Sequence, residues 1–435
     1  MKKRINFLFS ALLICAAVGV FVGCADNTLY EPEKPAQERE LFKEKLSHEV
    51  TQAEARVKLE KLLTKLNLPS TRSGDTNSLP PITSVYTTGK AAVATRAGEK
   101  VEPYFHIFNF GDEEGFAIMS GDDRVEPLLA LTFKGELTPE TEIDNSGFEF
   151  AYEKMEEYYI SKAFRDPTDI PIPPRDSLQF PDLELPVRYE EKDTLIYQNM
   201  NYGYCPVKWD QNYPYNQYCF IPGTNNFADA GCAAVAMAQF MAIYKFPSSY
   251  NGYSFNWSDM ISQYRSYEGE LQIARLMQQL GVSNNLNIQY GTPQGSIANE
   301  VNIPLTFENL GYTNGGNGIP YNTETVVNEL KNGYPLLIGG YDGNSGHLWL
   351  AHGLMERRHI IRGYNEFDEA IVTNSIFRGY YILYNWGYKG LCDGFYLSGI
   401  FDPFTALENK YPEITRGIDP DNYQYDVVTY INIRK

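Results

Sequence analysis

Hydrophobic and polar positions follow different periods along this 435-residue chain, and the changes of period mark out its parts. Ile5 to Val22 is an apolar run broken only by Asn6, Ser10 and Gly19, and it follows Lys2, Lys3 and Arg4. That is the layout of a secretory signal over residues 1–23. No second apolar run is long enough to span a bilayer. Thr51 with Glu54 forms a capping-box pattern, and Val57, Leu59, Leu62, Leu63 and Leu66 then recur at helical spacing until Pro69. Tyr104–Phe110 and Phe116–Ser120 read as two strands joined by the Gly111–Gly115 turn, and Phe148–Phe164 reads as a helix. Residues 47–165 are therefore expected to form a small α+β domain, preceded by a polar tether over 24–46.

Between Asp166 and Pro186 the periodicity stops. Pro167, Pro171, Pro173, Pro174, Pro181 and Pro186 are interleaved with acids, which predicts an extended, protease-accessible linker over 166–194. From residue 195 to the end, helical patterns come first: the run after Cys232, then Leu271–Leu280 with Gly281 as C-cap, then Thr323–Leu330. Strand patterns follow at Tyr334–Gly339, Gly346–Gly353, Ile360–Tyr364, Tyr380–Asn385, Gly394–Leu397 and Val427–Ile433. Helices first and a sheet second is an α+β layout. The stretch Glu356–Arg378, with Arg357, Arg358 and Arg362, has no evident role.

Composition narrows the function classes. A formal net charge of −18 argues against nucleic acid or anionic lipid as partners. The 33 tyrosines and 24 phenylalanines are too many for a disordered acidic chain. Of the six cysteines, Cys15 lies in the signal, and Cys24, after Gly23, fits a lipobox with Phe21 where leucine is usual. A lipid on Cys24 is the expected membrane attachment. Cys205 and Cys219 leave two states open, a disulfide or two free buried thiols. The cysteines and histidines have no zinc-like spacing, so neither metal nor cofactor is expected.

Gly231-Cys232-Ala233 carries the chemistry. It places one thiol at the first turn of an apolar helix, where unpaired N–H groups and the helix dipole favour a thiolate. A histidine from elsewhere would complete a nucleophile. His347 and His352 lie five apart on one strand and so face opposite ways. His347, preceded by the small Ser345 and Gly346 that leave room for a substrate backbone, is the expected base. Gln211 can donate to an oxyanion together with the Cys232 amide. Asn385 can fix the imidazole tautomer and Trp386 can shield that bond.

Together, the Cys232 helix, the Gln211-x-x-Pro214-Tyr215-Asn216 segment, Gly346-His347, Asn385-Trp386-Gly387 with Gly390 and Asp393-Gly394, and the Tyr290–Ser296 loop resemble the streptopain family of secreted bacterial cysteine proteases. Gly115–Arg124 resembles that family's propeptide. The resemblance implies a papain-like fold, a zymogen inhibited by its own propeptide, and protein or peptide substrates. It also implies Cys232 as nucleophile, His347 as base and Gln211 at the oxyanion, with Ser296 beside Gly346 and Ser345 at the substrate. The chain departs from the family pattern at His352-Gly353 and at Tyr388-Lys389. Two other classes of function compete: a non-catalytic surface protein that binds peptides in the same cleft, and a hydrolase for another amide such as a peptidoglycan cross-link.

Overall fold

The structure is a computed structural model that describes residues 48–64, 81–91, 101–111, 113–142, 144–163, 188–198, 204–341, 346–364, 370–401 and 427–435. The signal, Cys24, the tether, most of the proline-rich linker and Ser345 lie outside the described residues.

The N-terminal unit opens with α1 (Gln52–Leu63), whose Thr51 and Glu54 form the reciprocal capping box. Four antiparallel strands follow in order: β1 (Ile82–Ala91), β2 (Val101–Phe110), β3 (Phe116–Ser120) and β4 (Leu128–Thr132). Helix α2 (Ser146–Ala163) closes the unit and buries Phe148, Phe150, Ala151, Met155 and Tyr159. Asn145 caps it by accepting from the Phe148 amide at 3.0 Å.

The second unit begins with β5 (Arg188–Gln198), then α3 (Cys232–Tyr244), the short hairpin β6 (Ser249–Tyr250) and β7 (Tyr253–Ser254), α4 (Trp257–Met260) and α5 (Tyr267–Gly281). Hairpin β8 (Gln289–Thr292) and β9 (Gly295–Ile297), α6 (Ile303–Asn309), β10 (Asn314–Pro320) and α7 (Thr323–Lys331) come next. The sheet strands are β11 (Leu336–Tyr341), β12 (Gly346–Tyr364), β13 (Ala370–Asn385), β14 (Gly394–Leu397) and β15 (Val427–Arg434). Gly281 is the last residue of α5, with Val282 as its cap, one position later than the sequence suggested.

Both units contribute to one eleven-stranded sheet. Its order is β1-β2-β3-β4-β14-β13-β12-β11-β15-β10, with β5 added to β12. The junction is β4 on β14, in the register Thr132↔Gly394, Leu131↔Phe395 and Ala130↔Tyr396. Two apolar clusters fill the molecule. One surrounds α3, α5 and α6; the other runs without interruption from Phe105, Phe116 and Phe148 of the first unit to Trp349, Tyr384, Trp386 and Phe401 of the second. Phe150 stacks on Phe401 with ring centroids 6.0 Å apart, and Phe148 meets Tyr396 edge-on.

The segment Glu356–Arg378 is a long hairpin arm, since β12 and β13 stay paired as far as Tyr364↔Ala370. Strand β5 lies along this arm from Leu354↔Gln198 to Tyr364↔Arg188. Residues 188–194, expected as free linker, are therefore a strand. The segment contains no proline, and an extended run needs only an exposed edge to pair with, which the arm supplies.

Where arm and N-terminal unit meet, Arg357 forms a buried ion pair with Glu126, and Tyr381 donates to the Leu128 carbonyl at 3.0 Å. Replacing Glu126 with alanine leaves the guanidinium without its carboxylate in a dry interface. The precursor should lose about 3 kcal/mol of stability, read from its urea midpoint, if the pair holds the two units together. An unchanged midpoint would show that the contact contributes nothing.

Candidate active site

Helix α3 begins at Cys232, with Gly231 as N-cap at φ 91°, a left-handed conformation that glycine adopts without strain. Every residue from Ala233 to Ala242 is buried, so the helix is fixed on all sides and its first residue is placed rigidly. Gly231 sits against Ser296, whose hydroxyl donates to the Asp229 carbonyl at 2.6 Å and ties the β8–β9 hairpin to the approach to Cys232. The Ala230 amide donates to the Gln211 carbonyl at 2.8 Å, and the Gln211 side chain hydrogen-bonds the Tyr388 hydroxyl. The structure thus gathers Gln211, Ser296 and the thiol at one helix end.

His347 stands on β12 opposite Gly340. Its ring stacks on Trp349, its Nε2 lies 2.9 Å from the Trp386 carbonyl, and its Nδ1 lies 3.2 Å from Ser146 Oγ of the N-terminal unit. Ser146 Oγ is also 2.9 Å from the Tyr388 hydroxyl. The first turn of α2 therefore enters the cleft and engages the imidazole directly. Gly147 permits this approach, because a Cβ there would lie 2.5 Å from ring carbons of both His347 and Trp386. Asn145 secures the turn by donating to the Leu391 carbonyl at 2.8 Å.

Burial pushes the Cys232 thiol up to about 11, against the pull of the Leu348 and Ala233 amides, and Glu300 adds to the rise. Burial lowers His347 to about 4, opposed by the Trp386 carbonyl. Both groups are neutral at pH 7. The thiolate expected from the helix terminus alone does not prevail, because desolvation of the charge outweighs a few backbone dipoles.

Asn385, expected from the sequence to bond the imidazole, bonds the neighbouring backbone instead. Its amide donates to the Val207 carbonyl at 2.9 Å, and its Oδ1 accepts from the Gly387 amide at 3.1 Å. It braces the loop whose Trp386 carbonyl meets His347. The Trp386 amide donates to Asp393, and its indole N–H to the Cys392 carbonyl, both at 2.9 Å. His352 is remote from this group: at a register shift of β12, it accepts from the Cys205 amide at 3.1 Å. Cys205 and Cys219 are free and buried. Gly346 pairs with Tyr341 and is exposed.

Three participants escaped the sequence reading. Tyr388 had drawn notice only as a departure from a pattern, yet its ring centroid is 5.5 Å from that of His347. Ser146 and Gly147 carry no motif. The one available signal was the Asn145-Ser146-Gly147 helix start, which reads as an ordinary cap. Among the described residues no cluster of His, Cys, Asp and Glu is arranged to hold a metal.

A helix-borne cysteine and a strand-borne histidine, with a separate chain segment seated against the histidine, are the arrangement of a cysteine peptidase held in a blocked form. Residues 209–396 match the Peptidase C10 family, and residues 47–159, in front of them, match the Spi protease inhibitor. The thiol protease/hemagglutinin PrtT of Porphyromonas gingivalis is 25% identical over 362 residues, which cover 75% of this chain and 38% of that protein. The chain thus spans well under half of that relative. Streptopain of Streptococcus pyogenes serotype M1 is 24% identical over 375 residues, covering 74% of this chain and 82% of streptopain. Among solved structures, a prointerpain A fragment from Prevotella intermedia aligns with a TM-score of 0.47 at 18% identity, covering 80% of this chain and 99% of that one.

Alanine at Gly147 should force α2 out of the cleft. The thiol should then be less buried and its pKa should fall, so iodoacetamide should label Cys232 at pH 7.5 at least about tenfold faster in Gly147→Ala than in the unaltered precursor. Equal labelling rates would mean that α2 does not govern the thiol.

Proposed function

We propose that this protein is a cysteine endopeptidase made as a self-inhibited precursor. The observation that carries the reading is the Ser146–His347 contact: the inhibitor-type domain occupies the imidazole in the cleft that holds Cys232. The match of residues 209–396 to a peptidase family supports peptide-bond chemistry. Once α2 withdraws, His347 can turn toward Cys232 and take its proton, and the thiolate–imidazolium pair replaces two neutral groups.

The thiolate then attacks a peptide carbonyl and forms a carbon–sulfur bond. The Cys232 amide and the Gln211 side chain stabilise the oxyanion. Collapse breaks the carbon–nitrogen bond as His347 gives its proton to the leaving amine. Water, deprotonated by His347, attacks the thioester and regenerates the thiol. The Trp386 carbonyl orients the imidazole, and Asn385 acts through that carbonyl as a positioning residue. Ser345, Gly346 and Ser296 border the substrate backbone.

Activation requires a cut between about Phe164 and Pro206, in or just after the proline-rich linker. The signal and a lipid on Cys24 would place the precursor outside the cytoplasm on a membrane. The cut then frees the catalytic unit, because every anchor precedes it. The pairing of an intact Cys232 and His347 with an inhibitor-type domain favours this reading over a peptide-binding surface protein.

Cys232→Ala should abolish casein hydrolysis by the purified protein and leave the precursor at full length, while retaining the far-ultraviolet circular dichroism of the unaltered chain. Residual thiol-independent hydrolysis would overturn the mechanism. His347→Ala should be nearly as severe, a loss of at least about 10³-fold in kcat/KM. His352→Ala should retain most turnover per folded molecule, since its ring contacts Cys205 rather than the cleft. Comparable losses from the two histidines would reject the assignment of the base.

A further inference from the structure

Ser146 Oγ stands where two groups of the catalytic unit converge. It lies 3.2 Å from His347 Nδ1 and 2.9 Å from the Tyr388 hydroxyl. The Ser146 amide also donates to the Tyr388 hydroxyl, at 3.5 Å. The ends of this network fix where its protons lie. His347 Nε2 meets the Trp386 carbonyl, which can only accept, so the neutral ring carries its proton on Nε2 and Nδ1 is an acceptor. Ser146 therefore donates its single hydroxyl proton to Nδ1. Tyr388 must then donate to Ser146 Oγ, while its own oxygen accepts from the Ser146 amide and the Gln211 side chain. Burial raises the phenol above its ordinary range, so it keeps that proton.

His347 and Tyr388 belong to the catalytic unit, and Ser146 does not. The Tyr388 turn is tied to the segment before Gln211: the Lys389 amide donates to the Trp209 carbonyl at 3.3 Å, and Lys389 Nζ pairs with Asp210 at 3.0 Å. The Leu391 amide closes the turn on the Tyr388 carbonyl at 2.9 Å. None of these bonds involves α2, so the phenol keeps its place beside Gln211 when α2 withdraws. Ser146 is exposed, and the place it vacates is open to solvent. Nε2 is committed to Trp386, which leaves Nδ1 to exchange protons. An oxygen at hydrogen-bond distance from Nδ1 is within reach of general-base transfer. The serine hydroxyl stands in for a water oxygen there, since both can give a proton to Nδ1 and accept one from Tyr388. Cys232 is close enough for its charge to act on the phenol, so an acyl group on the sulfur lies beside the same place.

We propose that Tyr388 positions the water that hydrolyses the acyl-enzyme, holding it against His347 Nδ1 where Ser146 Oγ sits in the precursor. The inference rests on the peptidase reading and adds a residue to its second half. In that step the water gives one proton to Nδ1, and one of its lone pairs accepts from the Tyr388 hydroxyl. The other lone pair forms the carbon–oxygen bond to the acyl carbon. The carbon–sulfur bond then breaks, and the sulfur leaves with the electron pair and recovers the proton from Nδ1. The product is a carboxylic acid, and Tyr388 ends the step unchanged. Acylation needs no such water, because the thiolate is the nucleophile there. Phenylalanine at this position would keep a ring against His347 and lose only the hydroxyl.

The test measures the two half-reactions apart, on the full chain after linker cleavage. A stoichiometric amount of a p-nitrophenyl ester of an N-blocked amino acid acylates Cys232, and release of p-nitrophenol gives the acylation rate. Acid quenching and mass spectrometry then follow the decay of the acyl adduct. Tyr388→Phe should slow that decay at least about tenfold while acylation keeps most of its rate, so that kcat and KM for the ester fall together. Alkylation of Cys232 by iodoacetamide should keep its rate and pH profile in the same variant. Equal slowing of both half-reactions would mean that Tyr388 acts through Gln211 at the oxyanion, and an unchanged decay would mean that it holds no water; either result overturns the proposal. Slowed alkylation would overturn it too, by showing that the phenol supports the nucleophile instead. If the cleaved, unaltered protein neither releases p-nitrophenol nor cuts casein, the peptidase reading fails and the water site fails with it.

Discussion

The precursor depends on one continuous apolar core shared by two units that are separate in sequence. Phe148 and Phe150 of α2 are packed among Trp349, Tyr396 and Phe401 as closely as the residues of a single domain. That burial brings the first turn of α2 into the cleft, where Ser146 reaches His347. The polar contacts at the tip are few. Apolar packing behind them supplies the affinity, and the tip converts it into inhibition.

Latency here is electrostatic as much as steric. A cysteine–histidine pair works by exchanging a proton, which requires the two groups to share a partly solvated space. In the precursor burial holds both groups neutral instead. With the thiol at about 11 and the imidazole at about 4, proton transfer between them is opposed from both ends. No distortion of α3 is needed, and its rigid burial keeps the nucleophile in place throughout.

The sequence made some of this legible and hid the rest for physical reasons. The capping box at Thr51 and Glu54, the hairpin around Gly111–Gly115 and the apolar helix after Cys232 are local patterns, and the structure contains them. The pairing of β4 with β14 is not local: it joins residues more than 250 positions apart, and short apolar runs such as Leu128–Thr132 carry no address. Ser146 and Tyr388 were missed for a similar reason. A serine at a helix start and a tyrosine in a glycine-rich loop have ordinary local explanations, and only the meeting of two distant segments gives them a role. Asn385 was placed in the correct loop but one step too close to the imidazole, because hydrogen bonding to Val207 satisfies its amide before the ring can.

Gly394 lies at the junction of β14 with β4, where any side chain would collide with the Leu131 backbone. On the proposed reading β4 departs when the enzyme matures, and β14 changes from an interior strand to a sheet edge four residues long. The position is then a glycine for the sake of a neighbour the working enzyme no longer has. Part of the catalytic unit's sequence records a transient partner, and a survey of the mature protein alone would find a tightly restricted residue with open space beside it.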